Sequence, residues 1–393
     1  MMVRRRDALL TLARTWQRLA VAGTAGLLAR PLQAVSPMPA RRPETRPEMR
    51  PGLHPGEALA FPRDFGAHPA LRTEWWYLTG SLWPQGAPAP RPEQAPWGFQ
   101  ITFFRSRVDA AADSRSAFAA RQLVFAHAAL TDVAAGRLQH DQRIARQGFG
   151  LAEAREGDTG LVLRDWRLQR SGPAAHSTYA SLVPARGFTL DLRFEQTQAL
   201  LLQGEGGFSR KGPRIEQASR YYSQPQLRVG GAIVQQGRRQ AVAGRAWLDH
   251  EWSESLLDPQ AEGWDWIGMN LDDGSALTAF QLRRRDGSAL WAGGSLRRPG
   301  QAPRSFAPEE VRFTPLRHWR SPATGTRYPV AWQVVVAGER FTVQARVDAQ
   351  ELDSRQSTGS VYWEGLSTLH DSRGSVVGSG YLEMTGYASA MRL

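Results

Sequence analysis

The sequence predicts an all-β protein made of two antiparallel β-barrels in tandem. From Thr73 onward, short runs of alternating apolar and polar residues follow one another, bounded by Gly, Pro or Asp. The dipeptides Asp273-Gly274 and Asp286-Gly287 lie between such runs, where hairpin turns favour this pair. After the N-terminal segment, no stretch keeps a helical period for more than two turns. Many short strands indicate a sandwich or a barrel, and runs on both sides of about residue 240 predict two barrels.

Each run has the length of one strand or one hairpin. The first half contains WGFQITFFRSR, RQLVFAHAALTDV, TGLVLRDWRLQR and GFTLDLRFEQTQALL. The second half contains WIGMNLDDGSALTAFQLRRRDGSALWAGGSL, YPVAWQVVVAGERFTVQARV and SVYWEGLSTLHDSRGSVVGSGYLEMTG. A closed antiparallel barrel of about eight strands can hold one small apolar ligand, so we expect a binding cavity.

The N-terminal segment predicts an export signal over residues 1–34. It has the basic cluster Arg4–Arg6, a modestly apolar run over Leu19–Ala29 and a small residue, Ala34, at the expected cleavage point. The adjacent arginines, with Arg30 just before the cleavage point, favour the twin-arginine route. A disordered arginine-rich leader is the alternative. We therefore expect a periplasmic or secreted protein.

The rest of the chain divides into a linker and two barrels. Residues 35–56 are rich in Pro and Arg and have few large apolar side chains, which predicts an extended tether. We expect the first barrel over residues 57–250 and the second over residues 251–393.

The composition excludes several classes of function. The chain has no Cys, hence no disulfide, thiolate nucleophile or Cys-based metal site. Its net charge of +12 falls to +7 without residues 1–34, which hold six Arg and Asp7. Lys211 is the only lysine, and no basic segment interleaved with aromatics follows the signal, so nucleic-acid binding is not expected.

The common catalytic motifs are absent. The sequence has no G-x-S-x-G for a serine nucleophile, no Gly-rich phosphate loop and no dinucleotide fingerprint. The segment HEWSE lacks the second His of a zinc-binding H-E-x-x-H. We therefore expect neither a metal nor an organic cofactor.

The segment Gly244–Glu254, GRAWLDHEWSE, concentrates acids, an imidazole and two indoles. In a strand, alternate residues face opposite sides: Trp247, Asp249 and Glu251 on one, Leu248, His250 and Trp252 on the other. This separation disfavours a shared metal site, although a bulge would overturn it. His250 beside Trp252 in an apolar barrel is able to hold or pass a proton near neutral pH. A buried structural histidine is the alternative.

The segment LRTEWWYLTGSL has a similar composition. Alternation places Glu74 and Trp76 on one face and Trp75 and Tyr77 on the other. A structural pairing of Glu74 with an Arg is the simpler interpretation, and a place in the ligand cavity is the alternative.

Three further segments supply candidates. His127 shares a face with apolar neighbours, which is typical of a core histidine and also allows a cavity position. Tyr221 and Tyr222 offer one phenol to each face of their strand. Asp265 stands beside Trp266: buried, it is an acid with a raised pKa, and otherwise it is an exposed residue of a turn.

These segments resemble a known family. HPALRTEWWYLTGSL, WGFQITFFR, FAHAALTD, QASRYYSQPQL, AWLDHEWSE and GWDWIGMNLDDGSALTAFQLR are together similar to the AttH-like branch of the carotenoid 1,2-hydratase family. The resemblance runs from about His68 to Tyr387. It implies two lipocalin-like barrels, the first ending near LDHEWSE.

The resemblance also implies a chemistry. Hydratases of this family add water to an isoprenoid double bond without a cofactor, which requires a carboxylic acid, an apolar cavity and a base. Their His-x-Trp pair corresponds to His250 and Trp252. Their Tyr-x-Asp proton donor has no counterpart in residues 276–283, so Asp265, Glu251 or Glu74 would have to replace it.

Two functional hypotheses follow. The first is a hydratase or lyase for a lipophilic alkene, with His250 as base and Asp265 or Glu251 as the other catalytic groups. The second is a carrier of an apolar ligand, or an accessory protein of an inner-membrane ABC transporter. In both, the residues expected to contact the ligand are Trp252, Glu74, Trp76, His127, Tyr222 and Trp266.

Overall fold

The computed structural model describes residues 52–255 and 257–391. The predicted signal, residues 1–34, and all of the predicted linker except its last five residues lie outside this range. The described part is almost entirely β-structure, in two large antiparallel sheets, so the predicted fold class is confirmed.

Thirteen strands form the first sheet. They are β1 (Thr73–Pro84), β2 (Trp97–Arg107), β3 (Gln122–Asp132), β4 (Arg137–Arg146), β5 (Ala152–Ala154), β6 (Gly160–Leu163), β7 (Trp166–Ser171), β8 (Thr178–Ala185), β9 (Phe188–Glu195), β10 (Leu201–Leu202), β11 (Phe208–Arg210), β12 (Ala218–Gln235) and β13 (Arg238–Ser253). Their order is β4-β3-β2-β1-β13-β12-β9-β8-β7-β6-β5, and β10 and β11 also pair with β12. The sheet curls until β3 and β4 at one edge contact β5 and β6 at the other.

Ten strands form the second sheet. They are β14 (Gly263–Leu271), β15 (Ala276–Arg283), β16 (Ala289–Arg297), β17 (Arg304–Phe306), β18 (Val311–Arg320), β19 (Arg327–Val336), β20 (Glu339–Ala345), β21 (Glu351–Asp353), β22 (Val361–His370) and β23 (Val376–Met384). Their order is β17-β16-β15-β14-β23-β22-β20-β19-β18, with β21 on β22. The sheet curls so that β18 contacts β15 and β16.

Turns and short helices connect the strands. Gly274 and Gly287 adopt φ angles of +85° and +84° in the predicted hairpins β14–β15 and β15–β16. The described helices are 3-10 turns at Arg63–Phe65, Pro92–Gln94, Asp109–Ala111, Ala174–His176 and Pro308–Glu310. Within the described residues, no helix has the length and apolarity to cross a membrane.

Each curled sheet encloses its own apolar core, and a third apolar cluster lies between the sheets. Since side chains alternate along a strand, β13 contributes to two of these layers. Leu248 and Trp252 belong to the first core, whereas Trp247 belongs to the cluster between the sheets. The chain changes from the first sheet to the second between Ser253 and Gly263, and the domain limit at residue 250 stays a prediction.

Candidate functional site

Strand β13 separates two groups of ionisable residues. His250 and Trp252 point into the first barrel, while Asp249 and Glu251 point to a cavity between the two sheets. This is the division that the alternation of GRAWLDHEWSE predicts. The two groups have different partners and different electrostatics.

Inside the first barrel, Glu74 and His250 form the centre of a polar cluster. Glu74 lies opposite Trp252 on β13, two residues before Trp76, which lies opposite His250. Oε1 of Glu74 is 2.9 Å from Nε2 of His250, and both side chains are fully buried. Nδ1 of His250 is 3.1 Å from the hydroxyl oxygen of Tyr222 on β12.

Arg105 and His68 complete the surroundings of Glu74. Nε of Arg105 donates to Oε2 at 2.8 Å, and the backbone N–H of His68 donates to the same oxygen at 2.9 Å. Nδ1 of His68 is 2.7 Å from Oε1. The other end of the His68 ring is 3.3 Å from Oδ1 of Asp64. Both carboxylate oxygens of Glu74 are therefore fully occupied.

Aromatic rings pack around this cluster. The Trp76 ring stacks on His250 with centroids 4.4 Å apart, and the Trp252 ring stacks on His68 at 3.9 Å. Tyr222 meets His250 edge to face. The rings exclude water from the ionic contacts, and this strengthens them.

The pKa values follow from these contacts. Hydrogen bonds to the two histidines outweigh burial and hold the pKa of Glu74 well below its usual range. Burial lowers the pKa of His250 to about 4, so this imidazole is neutral at pH 7. Bonds to Asp64 and Glu74 raise the pKa of His68 despite its burial. A neutral His250 satisfies both neighbours if Nε2–H donates to Glu74 and the Tyr222 hydroxyl donates to Nδ1.

The same cluster contains a set of residues able to hold a metal ion. His68, Glu74 and His250 each offer a ligand atom, and these atoms lie within 4.8 Å of one another. However, these atoms are already hydrogen-bonded. The ring nitrogens of His68 and His250 contact one oxygen of Glu74, and Arg105 donates to the other. The donor set therefore fits a hydrogen-bonded ionic cluster better than a metal centre.

A cavity of about 300 Å³ lies between the two sheets. Its walls are largely aromatic and include Trp75, Tyr77, Phe104, Tyr221, Trp266 and Tyr362. Its volume is at the lower end of the range for small-molecule sites. It therefore suits a compact apolar ligand or one end of a longer one.

Asp249 is one of the acids in this cavity. Its Oδ1 accepts hydrogen bonds from Trp247 Nε1 at 2.7 Å and from the Ser223 hydroxyl at 2.5 Å. Its Oδ2 accepts one from the Tyr221 hydroxyl at 2.7 Å. Burial outweighs these donors and raises the pKa of Asp249 to about 7. This carboxyl can therefore gain or lose a proton at physiological pH.

Glu251, two residues further along β13, forms an ion pair with a lysine. Nζ of Lys211 is 2.9 Å from its Oε1, and the Ser219 hydroxyl donates to the same oxygen. The ammonium also lies over the rings of Tyr221 and Phe280, 4.8 Å and 4.2 Å from their centroids. The only lysine of the sequence is thus buried in this cavity.

Two acids of the second sheet face the same cavity. Glu364 on β22 lies directly opposite Glu383 on β23, and no cation pairs with either among the described residues. Removal from water raises the pKa of Glu383 to about 8. Burial, together with the charge of Glu383, raises the pKa of Glu364 well above its usual range.

The predicted site residues are divided among three places. Glu74, Trp76, Tyr222, His250 and Trp252 meet in the barrel cluster.

Glu251, His127 and Trp266 line the cavity. The ring nitrogens of His127 are 2.8 Å from the Tyr362 and Ser357 hydroxyls, and burial lowers its pKa to about 3. Asp265 lies in neither place. It is fully buried in β14, not in an exposed turn, and it pairs with Arg283 at 2.8 Å.

Sequence reasoning did not select Asp249, Lys211, Glu364 or Glu383 as site residues. A signal was available for the two glutamates. Each is a single acid within an otherwise apolar strand, in VYWEGL and GYLEM. Such an acid is either paired or has a shifted pKa.

Comparison with known proteins agrees with this architecture. The family model described as AttH-like matches residues 53–387. A crystal structure of a candidate AttH from Nitrosomonas europaea is 50% identical, with a TM-score of 0.77, over 86% of this chain and 99% of that one. No protein of curated function matches the chain.

Two more distant structures share the fold. Kievitone hydratase from Nectria haematococca is 12% identical, with a TM-score of 0.58, over 86% of this chain and 95% of that one. CghA, solved with Sch210972, is 14% identical, with a TM-score of 0.51, over 81% of this chain and 89% of that one. The match over nearly all the described residues, with the close relative from Nitrosomonas europaea, shows that the chain belongs to the AttH-like family.

Proposed function

We propose that this protein is a cofactor-independent hydratase, or the reverse lyase, acting on an apolar unsaturated molecule bound between the two sheets. The observation that carries the proposal is the cavity itself, which places carboxyls with raised pKa values among aromatic walls. A carboxylic acid that stays protonated near neutral pH is the group needed to donate a proton to carbon. The fold that this chain shares with kievitone hydratase supports the same reaction class.

The acids have different surroundings, which suggests their roles. The pKa of Glu383 is about 8, so this residue is protonated at pH 7 and suits the proton donor. Asp249, with a pKa of about 7 and three donors on its carboxylate, suits the base that receives a proton from water.

In the forward direction, the Glu383 carboxyl gives its proton to one alkene carbon and leaves a cation on the other. Water adds to that cation and gives its proton to Asp249. The aromatic faces of the cavity stabilise the cation.

The proposal reassigns the base that the sequence suggested. Both ring nitrogens of His250 already have partners inside the first barrel. His250 is on the opposite face of β13 from the cavity, so in this proposal it supports the site without contacting the ligand.

The test begins with the ligand. Protein purified from its own host is analysed by native mass spectrometry, and the extracted lipophile is incubated with enzyme in water labelled with heavy oxygen. We expect labelled product from the wild type. Asp249→Asn and Glu383→Gln should each lose about 100-fold or more in turnover while still binding the lipophile. Asp265→Asn is the matched control, a buried acid outside the cavity.

The pH profile gives a second test. With Asp249 as base and Glu383 as acid, kcat/KM should fall below about pH 7 and above about pH 8. A profile that follows a group titrating near pH 4, as His250 does, would contradict the assignment.

A carrier of apolar ligands, or an accessory protein of an ABC transporter, is the second candidate. The aromatic cavity favours it as much as it favours an enzyme. Under this alternative, the extracted lipophile gains no label and all three variants bind it equally. Under either function, we propose that the protein acts in the periplasm or outside the cell, as its first 34 residues predict.

A further inference from the structure

Exposed apolar side chains are concentrated at one place on the surface. Across the described residues, the exposed large hydrophobic side chains are Phe118, Ile144, Phe149, Leu151, Leu182, Ile215 and Leu316. The first four of these lie on neighbouring elements, and we call them the aromatic rim. A cluster of this kind marks an interaction surface, whereas single exposed residues do not.

Two loops and strand β4, which carries Ile144, form the aromatic rim. Phe118 lies in the loop between β2 and β3, and Phe149 and Leu151 lie in the loop between β4 and β5. The two phenyl rings stack on each other, with centroids 5.5 Å apart and planes 9° apart. They are 71% and 57% exposed, so they make this contact in water and not in a core.

The backbone presents Phe149 at a conformational cost. Phe149 has a φ of +58°, between Gly148 at +102° and Gly150 at +69°. A bulky residue rarely adopts this left-handed conformation. Because its side chain is exposed, core packing does not account for it. Strain of this kind is typical of functional positions.

The aromatic rim continues into the cavity wall. Ile144 belongs to both, and it lies opposite Phe125, another residue of the cavity wall. Arg146 lies two residues further along the same face, opposite Leu123, which also lines the cavity. The Arg146 guanidinium is 3.9 Å from the centroid of Phe149. A path along Arg146 and Ile144 therefore leads from the phenyl rings to the cavity wall.

Basic residues surround this path. Arg115, Arg121 and Arg164 are exposed on the same loops or next to them, and Arg146 lies beneath the phenyl rings. Asp113 and Glu153 are exposed acids nearby, and two more, Asp109 and Asp165, pair with Arg107 and Arg143, so arginine is still in excess. Exposed aromatics with arginines suit the surface of an anionic bilayer, where the rings enter the interface and the cations meet the headgroups.

We infer that the aromatic rim docks the protein on an anionic lipid bilayer, with the cavity mouth facing the acyl region. The inference rests on the proposed function in one respect, that the ligand is apolar. Such a ligand resides in the bilayer, and docking places the path past Ile144 at the membrane surface, so that the ligand enters the cavity from the lipid. Docking on lipid is otherwise independent of what happens to the ligand.

Vesicle binding by the full chain tests the inference. The vesicles contain phosphatidylcholine alone or with about 30% phosphatidylglycerol. We expect the wild type to sediment with the anionic vesicles, and added salt to weaken this binding. Phe118→Ser combined with Phe149→Ser should reduce it about tenfold or more. The matched control combines Leu182→Ser with Leu316→Ser, two exposed apolar residues outside the rim, and should bind like the wild type.

The outcomes are distinguishable. Equal binding by both double variants, or none by the wild type, overturns the docking. If the wild type instead forms a dimer in light scattering, and only the rim variant abolishes it, the partner is a second copy and the inference is wrong. If the wild type binds the vesicles but does not turn over the ligand, the hydratase proposal is wrong and the docking inference stands. If the protein turns over a detergent-solubilised ligand but does not bind the vesicles, the docking inference is wrong and the hydratase proposal stands.

Discussion

The two acidic clusters on opposite faces of β13 differ in their cations. In the barrel cluster, Glu74 contacts Arg105 and His68, whose other ring nitrogen faces Asp64, and the pKa of Glu74 lies well below its usual range. In the cavity, Lys211 pairs with Glu251, while Asp249, Glu364 and Glu383 have no ion pair among the described residues. Burial alone raises a carboxyl's pKa, and the supply of positive charge decides whether the buried acid ionises. The first cluster is thus suited to stability, and the second to moving protons.

Removing the charge of Glu74 should have the largest effect on stability. Glu74→Gln leaves the fully buried Arg105 without its counter-ion and removes one of the two carboxylates that His68 contacts, which we expect to cost about 3–5 kcal/mol of the free energy of unfolding. Urea denaturation at pH 7 measures it. Glu364→Gln is the control on the cavity side: it replaces an acid that has no ion pair among the described residues and whose pKa is raised by burial, and it should cost much less. Equal losses in the two variants would remove the distinction between the clusters.

The sequence predicted each cluster only as far as local geometry reaches. Alternation along β1 and β13 correctly separated Glu74 and Trp76 from Trp75 and Tyr77, and His250 from its acidic neighbours. Alternation and turn residues also predicted the antiparallel β-fold, because both are local properties of the sequence.

The residues that line the cavity come from parts of the chain that are far apart in the sequence. Glu364 and Glu383 meet the face of Asp249 only because two sheets, formed by distant parts of the chain, pack together. The hydrogen bond between His127 and Tyr362 spans 235 positions in the sequence. A single sequence gives neither the register of neighbouring strands nor the packing of one sheet on another. It therefore could not show that Arg105, opposite Glu74 on β2, is its partner, or which acids share the cavity.

Replacing Asp249 should have an intermediate effect on the free energy of unfolding, and this effect should depend on pH. Its pKa is about 7 in the folded protein and 3.8 for the unperturbed group. Between these values the unfolded chain has lost a proton that the folded chain retains, so stability falls as pH rises through this window. Asn cannot ionise, so Asp249→Asn should be more stable than the wild type by about 1–3 kcal/mol at pH 8.

Most of this gain should disappear near pH 4, where the carboxyl is protonated in the folded protein and only about half ionised in the unfolded chain. Urea unfolding at the two pH values measures the difference. A variant that loses stability at pH 8 would indicate that Asp249 is ionised and structurally required, as Glu74 is.

We expect the smallest effects from removing one hydroxyl group, either that of Tyr221 or that of its neighbour Tyr222. Tyr222→Phe removes the donor to Nδ1 of His250 and should cost about 1 kcal/mol in unfolding free energy. Because Tyr222 faces the barrel interior, kcat/KM and its pH profile should stay within about twofold of the wild type. Tyr221→Phe removes a donor to Asp249, which should raise the pKa of that acid and move the acidic limb of the profile to higher pH. If Tyr222→Phe moves the limb instead, the proton chemistry belongs to His250 and the barrel cluster.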